Sequence, residues 1–387
     1  MRGFKSSWAQ ASSREETHAG FFPRSGPCPC PYDSRVSQAR TEVSQPDGRR
    51  VWLYGESAPA PPGYQPPARS QGAYQIRWNA LRREWVLNAA SRQARTFLPE
   101  RESCPLCPAA PGRSTEIPAA TYQVAVFENR FPALLAAKPG RWSGGELRSS
   151  AGSCEVVVYT AEHEGSFAAL DAPQLAILLE AWTDRYRELA AREDVRYVFI
   201  FENRGEAVGV TLHHPHGQIY AYPFVPPVAA TELRPGRGRC RLCALLEGER
   251  RDGRRIVKDA GAIVSYVPAA ARWPYEVHVV AAAHQETLAA LSPVERTRFG
   301  QALQSVALAY DRLFQAPMPY MMVIHQRPTA PGDWPQAHLH AEFYPLLRDR
   351  GRLKYLAGSE SGAGVFINDT LPEESAERLR AATESVA

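Results

Sequence analysis

The five residues His214-Pro215-His216-Gly217-Gln218 decide how this sequence is interpreted. An imidazole near neutral pH is nucleophilic and able to release a proton, which suits a covalent catalyst. Pro215 restrains the backbone between the rings, Gly217 lets the main chain approach an anion, and Gln218 offers an uncharged donor. We expect one ring to face inward and the other to face a ligand. Taken alone, the motif also fits a half-buried strand with hydrogen-bonded histidines.

The surroundings of this motif occur twice in the chain. Each copy has a Cys-x-x-Cys pair, an isolated histidine and a His-x-His pair, in that order. The residues at the isolated histidines also agree, since His163-Glu-Gly-Ser-Phe-Ala-Ala-Leu-Asp matches His284-Gln-Glu-Thr-Leu-Ala-Ala-Leu-Ser. Repetition of this kind indicates an internal duplication. The repeated residues are Cys104, Cys107, His163, His214 and His216 in the first copy, and Cys240, Cys243, His284, His338 and His340 in the second.

The same elements are predicted in each copy. Strand-like runs over 155–160 and 276–280 precede the isolated histidines. Asp171 and Ser292 then stand as N-cap residues, each followed by an apolar-periodic helix of about 20 residues. Each half therefore supplies strands and one long helix.

Composition limits the class of protein. With 387 residues and 44% hydrophobic residues, the chain has ample material for a buried core. The net charge of +4 is spread along the chain, so we expect no nucleic-acid partner. No apolar run approaches the roughly 20 residues of a membrane helix, so we expect no membrane partner. Seven cysteines, an odd number, indicate metal-bound thiolates in a reducing, cytoplasmic setting.

Residues 1–72 are predicted to be a mostly disordered N-terminal extension, because they are polar or rich in proline. The folded part is expected to begin near Tyr74, with a strand-turn-strand over 74–89. An N-terminal half then covers 73–230 and a C-terminal half covers 231–387. The C-terminal half is expected to end in a helix over 373–384.

The repeated cysteines and histidines are candidate zinc ligands. A Cys-x-x-Cys turn presents two thiolates to one metal, and two histidines complete a tetrahedral site. Four protein ligands leave no open position, so both sites are predicted to be structural. Zinc bound at His214 then holds its neighbour His216 rigidly for chemistry. Buried free thiols and core histidines are the alternative. The predicted quartets are Cys104, Cys107, His163 and His214, and Cys240, Cys243, His284 and His338.

Together these residues resemble the galactose-1-phosphate uridylyltransferase family, a transferase branch of the histidine-triad superfamily. The resemblance covers roughly residues 74–360. It implies an α+β fold, in which duplicated histidine-triad-like half-domains form a mostly antiparallel sheet flanked by helices. Besides the opening motif, it rests on Arg92-Gln-Ala-Arg95, Phe127-Glu-Asn-Arg-Phe-Pro132, Phe201-Glu-Asn-Arg-Gly205, His338-Leu-His-Ala-Glu-Phe-Tyr-Pro345 and the segment from Lys354 to Glu360.

The resemblance implies a ping-pong reaction. UMP moves from UDP-glucose to galactose 1-phosphate, giving UDP-galactose and glucose 1-phosphate through a uridylyl-His216 intermediate. His216 is the implied nucleophile, and Gln218 steadies the α-phosphate. The family also implies a homodimer in which the late segment reaches the partner subunit's site. The implied substrate-binding residues are Arg92 and Arg95 for the diphosphate, Asn203, Gly209, Thr211 and Gln218 for nucleotide and phosphate, and Lys354 and Glu360 for the hexose phosphate.

The second copy of the motif differs from the first at a position that bears on catalysis. His340 aligns with His216, but Glu342 stands where the first copy has Gln218. A carboxylate repels a phosphate, so the second copy is predicted to have lost catalysis. Some relatives build their second metal site from a glutamate and three histidines, which here corresponds to Glu232, His325, His340 and the position of Glu342. We favour the cysteine-based site because the second Cys-x-x-Cys pair is present.

Three other functions remain open on the sequence. The first is an ADP-glucose or dinucleoside-polyphosphate phosphorylase or adenylyltransferase of the same superfamily. The second is the hydrolase branch, which has a third histidine at the position of Gln218; glutamine is neither an acid nor a base, so hydrolysis is expected to be slow. The third is a non-enzymatic, zinc-stabilised binding module, in which His216→Gly would change nothing.

Overall fold

The computed structural model describes residues 40–113, 115–135, 146–236 and 239–384, which form a large antiparallel sheet, two small sheets and several helices. In chain order the strands are β1 (Arg40–Ser44), β2 (Arg50–Pro59), β3 (Tyr74–Asn79), β4 (Glu84–Ala89), β5 (Ala119–Glu128), β6 (Leu147–Arg148), β7 (Ser153–Val158), β8 (Tyr197–Arg204), β9 (His216–Tyr222), β10 (Ile256–Asp259), β11 (Ile263–Tyr266), β12 (Val277–Ala281), β13 (Tyr320–His325), β14 (His340–Pro345), β15 (Leu347–Asp349) and β16 (Arg352–Leu353). The α-helices are α1 (Ala172–Ala190), α2 (Pro227–Glu232), α3 (Arg241–Asp252), α4 (Pro293–Leu313) and α5 (Pro372–Glu384).

Eleven strands form one sheet in the order β1-β2-β5-β7-β9-β8-β13-β14-β12-β11-β10. Every neighbouring pair in this sheet is antiparallel. Strands β7, β9 and β8 of the first half correspond to β12, β14 and β13 of the second, in reverse spatial order. The two halves therefore meet at the β8–β13 pair. The predicted fold class, a mostly antiparallel sheet flanked by helices in an α+β protein, is confirmed.

The two long helices begin where the sequence predicts. The Asp171 carboxylate accepts a hydrogen bond of 2.8 Å from the Gln174 amide at the start of α1. Ser292 and Glu295 form a reciprocal capping box at the start of α4. Both helices lie on one face of the sheet, where they share an apolar core with alternate strand residues. The opposite face is left for the small β4-β3-β6 sheet and for polar sites.

The expected start of the fold near Tyr74 is wrong, because β1 and β2 extend the large sheet beyond β5. All four residues from Val51 to Tyr54 are buried, and Trp52 and Tyr54 belong to the core under α1. This burial outweighs the polarity of the flanking residues, so the predicted disorder fails for β1 and β2. Residues 60–72 contain no helix or strand, and residues 1–39 lie outside the described residues. The division into halves at 230 and 231 stays a prediction.

Other predicted elements are confirmed. The strand-turn-strand over 74–89 corresponds to β3 and β4, and the C-terminal helix corresponds to α5. The five described cysteines are all free. Among the described helices, none is both long and apolar enough to cross a membrane.

Candidate active site

His214 and His216 face different surroundings, as expected, although two residues at this spacing within one strand would point to the same side. His214 instead lies in the bend before β9, which begins at His216. Its carbonyl oxygen lies 2.7 Å from His216 Nδ1 and accepts a hydrogen bond from it. That bond places the proton of a neutral His216 on Nδ1 and leaves the Nε2 lone pair free.

The first predicted quartet gathers in the structure. One ligand atom from each of Cys104, Cys107, His163 and His214 lies within 4.8 Å of the others. His214 Nε2 donates to the Thr160 carbonyl oxygen at 2.8 Å, which leaves Nδ1 directed at the two sulfurs. Metal-binding histidines are commonly oriented in this way, by a hydrogen bond from the ring nitrogen that does not bind the metal. Burial and the adjacent Cys104 raise the pKa of the Cys107 thiol, so a bound cation is needed to hold two thiolates here.

The second quartet repeats this arrangement. Cys240, Cys243, His284 and His338 also place their ligand atoms within 4.8 Å of one another. His338 Nε2 contacts the Ala281 carbonyl oxygen at 2.8 Å, as His214 does with Thr160. The donor sets of both quartets fit a tetrahedral zinc site.

A third cluster joins the four residues of the alternative second metal site. Glu232, His325, His340 and Glu342 lie within the same 4.8 Å limit. The cysteine-based and carboxylate-based sets therefore both exist, although we expected one to replace the other. His278 adds a fifth ionisable group at 3.3 Å from Glu342. Burial opposes ionisation of the Glu342 carboxyl group. The nearby His278, His340 and His325 nevertheless keep the pKa of Glu342 well below its ordinary value.

A first cleft opens on the sheet face opposite α1, because His216 and Gln218 alternate along β9 with the core-facing Gly217 and Ile219. Thr211 also lines it, as do the two arginines predicted to bind diphosphate. Partial burial and the positive charge of Arg92 lower the pKa of Arg95. An anion between these arginines relieves their repulsion. The remaining walls of the first cleft are formed by Thr96, Pro105, Leu106, Glu116, Phe127, Asn129, Arg130, Phe131, Val156 and Leu212.

A second cleft meets the first at His216, which lines both. Asn203 and the loop after β8 form one side of the second cleft, and 163–166 form another. Gly209 lies in that loop with φ of +80°, a conformation that favours glycine. The histidine is thus accessible from two directions, which suits the exchange of one group between two molecules.

The structure does not bring every predicted site residue to these clefts. Lys354 and Glu360 are buried against each other, with Nζ and Oε1 2.9 Å apart, and neither lines either cleft within the described chain. Three residues of the first cleft, Glu116, Asn129 and Arg130, were not predicted as site residues. The segment Phe127-Glu-Asn-Arg-Phe-Pro132 was the available signal, since it contributes to the family resemblance.

The second half keeps the geometry of the first at His340 but has Glu342 in place of Gln218. His340 Nδ1 lies 2.8 Å from the His338 carbonyl oxygen, which matches His216 and His214. Its neighbour Glu342 is engaged by His278 and by the Tyr344 hydroxyl. The polar residues of this copy are thus occupied with each other.

An imidazole that lines two clefts and has no bond at Nε2, on a sheet of two matching halves, fits an enzyme that transfers a group between two molecules. Comparisons with known proteins give the family. The N-terminal domain model of galactose-1-phosphate uridyl transferase matches residues 66–226, and the C-terminal domain model matches residues 235–386. The chain belongs to the galactose-1-phosphate uridylyltransferase family.

Similar proteins agree with this assignment. A galactose-1-phosphate uridylyltransferase of Thermotoga maritima is 39% identical over 317 residues, covering 79% of this chain and 98% of that protein. The Streptomyces lividans protein of that name is 33% identical over 367 residues, covering 88% and 97%. A solved uridylyltransferase structure has a TM-score of 0.71 and 33% identity, covering 80% of this chain and 98% of that one.

Proposed function

We propose that this enzyme transfers UMP from UDP-glucose to galactose 1-phosphate, with His216 as the nucleophile. The observation that carries the proposal is the position of His216, whose unprotonated Nε2 stands where the two clefts meet. Burial lowers the pKa of His216, so the ring is neutral at neutral pH and its lone pair is available. Attack on the α-phosphorus forms an N–P bond and releases glucose 1-phosphate.

The second half of the reaction reverses the first. The phosphate of galactose 1-phosphate attacks the uridylyl phosphorus, the N–P bond breaks, and UDP-galactose leaves. Splitting one displacement into two at the same nitrogen suits an imidazole, which is both nucleophile and leaving group. Gln218 donates to the phosphate in both steps and supplies no proton, which disfavours water as the acceptor.

The other cleft residues position the charges. Arg92 and Arg95 bind the diphosphate, and Thr211, which lines the same cleft, offers a hydroxyl. Asn203 lines the second cleft and Gly209 lies in the loop that borders it. We assign both residues to the phosphate where the two clefts meet, and we place the leaving hexose phosphate in the second cleft. Phosphoryl transfer needs mostly positioning and charge stabilisation, which these donors provide.

Zinc in each quartet is part of the proposal, with a structural role. Cys104, Cys107, His163 and His214 hold the first ion, and Cys240, Cys243, His284 and His338 hold the second. A zinc ion bound by four protein ligands stabilises the fold and takes no part in the reaction. We place the enzyme in the cytoplasm, where such thiolates stay reduced.

The hexose phosphate is proposed to meet a second copy of the chain. Lys354 and Glu360 do not line the clefts of their own chain, yet the resemblance gives them hexose-phosphate contacts. A homodimer in which each late segment reaches the partner's second cleft reconciles the two observations.

The test is mass spectrometry of the purified enzyme after exposure to UDP-glucose without acceptor. We expect a uridylyl adduct on the peptide that contains His216, and its loss on addition of galactose 1-phosphate. The His216→Gly variant should fold, form no adduct and lose several orders of magnitude of turnover. The matched variant His340→Asn changes the equivalent histidine of the second half and should keep the adduct.

Two results would overturn the proposal. An adduct that forms only from ADP-glucose would favour an adenylyl-transferring enzyme of the same superfamily. Normal turnover in His216→Gly would remove the covalent mechanism altogether.

A further inference from the structure

The first Cys-x-x-Cys turn is enclosed by the protein. All of its residues, from Cys104 to Cys107, are buried. Both cysteines and Leu106 belong to an apolar cluster that also contains Val51 and Leu53 of β2. The N-terminal strand pair therefore packs over this turn and keeps solvent away from its two sulfurs.

Hydrogen bonds also fix the first turn. The Glu116 amide donates to the Pro105 carbonyl oxygen at 2.8 Å, and the Tyr122 hydroxyl donates to the Leu106 carbonyl oxygen at 2.5 Å. Tyr122 is itself buried. A reagent in solution therefore reaches the two sulfurs only when the surrounding structure opens locally.

The second Cys-x-x-Cys turn is open by comparison. Cys240 is buried, but Arg241 is exposed, and Leu242 and Cys243 are partly exposed. Neither cysteine belongs to an apolar cluster of buried residues in the described part of the chain. His284, whose Nδ1 lies 3.5 Å from Cys243 Sγ, is exposed as well.

The difference between the two quartets lies at their cysteines. Histidines of both quartets border open space, since His163 and His214 line the second cleft and His338 lines a separate cavity of about 370 Å³. Of the two quartets, only the second also presents a cysteine to solvent. The susceptibility of a thiolate to oxidation follows its exposure, so the second pair is the vulnerable one.

We propose that Cys240 and Cys243 form an oxidation site, at which a peroxide converts the pair into a disulfide and releases zinc from the second quartet while the first quartet keeps its ion. The inference rests on the zinc sites of the proposed function. Disulfides that form in the cytoplasm are usually transient and redox-sensing, which fits a pair that sits apart from both clefts.

The chemistry balances with a peroxide as the two-electron oxidant. The Cys243 thiolate attacks one peroxide oxygen, the O–O bond breaks, and the sulfur becomes a sulfenic acid as hydroxide leaves. The Cys240 thiolate, whose sulfur lies within 4.8 Å of the other ligand atoms, then attacks the sulfenic sulfur. An S–S bond forms and a second hydroxide leaves. Two protons from solvent turn the hydroxides into water, and the uncharged disulfide no longer holds Zn²⁺.

The test adds hydrogen peroxide to the zinc-loaded enzyme and follows released zinc with a metallochromic dye. We expect the loss of one zinc ion per chain. Peptide mapping without reductant should then show a disulfide between Cys240 and Cys243, with Cys104 and Cys107 still reduced. A dithiol reductant and added zinc should restore the lost ion.

Several results would overturn the proposal. These are the simultaneous loss of both ions, earlier loss from the first quartet, and loss of zinc without a disulfide between Cys240 and Cys243. Retention of both ions at a peroxide concentration that oxidises free cysteine would do the same.

Two variants sharpen the assignment. Cys243→Ser lacks the sulfur that peroxide attacks, so peroxide should release no zinc from it. Cys154→Ser is the matched control, because Cys154 is a buried free thiol outside both quartets, and this variant should release one ion as the wild type does. Release of zinc from Cys243→Ser by peroxide would contradict the assignment.

The failure of this inference and that of the proposed function are distinguishable. No uridylyl adduct in the untreated wild type defeats the proposed transfer reaction. A single zinc ion per chain before oxidation, held at Cys104 and Cys107, defeats the second zinc site and this inference with it. Two ions at the start without selective release defeat this inference alone.

Discussion

Glu202 is a buried acid beneath the strand that carries His216. It accepts hydrogen bonds from the Tyr159 hydroxyl at 3.5 Å and the Tyr320 hydroxyl at 3.3 Å. Tyr159 also explains Gly217, since a Cβ there would lie 2.2 Å from its hydroxyl oxygen. The glycine thus lets β9 pack onto the core, a different role from the anion approach that the motif suggested.

The protonation of Glu202 links folding to pH. Burial raises the pKa of Glu202 from 4.5 to about 7, against the opposing effect of Arg204. A raised folded-state pKa contributes stability that is fully present below about pH 4.5 and is lost as the pH rises through about 7. In the wild-type protein, ionisation of Glu202 lowers the free energy of unfolding by on the order of 3 kcal/mol.

Glu202→Gln should therefore reduce the fall in unfolding free energy between pH 5 and pH 8, measured by urea denaturation at each pH. The glutamine keeps the shape and has no charge to bury. Glu193→Gln, which alters an exposed glutamate after α1, should leave the pH dependence of the wild type unchanged. Equal pH slopes in Glu202→Gln and wild type would contradict this prediction.

Prediction at the residue scale succeeded where residues of one kind recur at matching spacings. The duplicated cysteines and histidines predicted which residues gather in each of the two quartets, whereas zinc binding by the quartets stays a prediction. Arg130 and Glu116 were missed because their ion pair joins residues whose nearness depends on the tertiary fold.

Among the elements, the first Cys-x-x-Cys turn does two things at once. Cys104 and Cys107 belong to the first quartet, whereas Pro105 and Leu106 between them line the first cleft. The second turn, with Cys240 and Cys243, is part of the half whose motif has lost its glutamine. A metal ion held at the first turn would therefore also fix two residues that line the first cleft.

Loss of the metal at the first quartet and loss of the metal at the second should affect UMP binding differently. Cys104→Ser should lower the zinc content by one ion per chain, reduce thermal stability and weaken UMP binding. Cys240→Ser should also lower zinc by one ion and reduce stability, but leave UMP binding within about twofold. Zinc is measured by atomic emission and binding by calorimetry. Full zinc content in Cys104→Ser would show that the quartet is wrong.

The sequence contained a signal for the missed strand pair. Asp47-Gly48 stands between the runs that form β1 and β2, and Gly48 has φ of +81° as a tight turn requires. The apolar run from Val51 to Tyr54 was too short to stand out among polar neighbours. The long helices, by contrast, were predictable because their caps and their apolar period agree.

At the scale of the whole molecule, the proposed dimer makes each reaction site a product of two chains. His216 then comes from one subunit and Lys354 from its partner. Two inactive variants, His216→Gly and Lys354→Ala, should complement each other when they are co-expressed with different tags. The mixed dimer contains one site with both defects and one intact site.

We expect the doubly purified mixed dimer to recover about half of the wild-type turnover, since one of its two sites is intact. Each homodimer serves as the inactive control. No recovery in a mixed dimer of confirmed composition would mean that Lys354 acts within its own chain, or not at all.

The antiparallel β8–β13 pair joins the two halves into one sheet. If the halves were produced as separate polypeptides, each would present a long strand with unsatisfied main-chain groups and buried-type side chains, the kind of edge that promotes aggregation. In the single chain β13 covers β8, so the second half protects the sheet that carries His216 whether or not it contributes to the reaction.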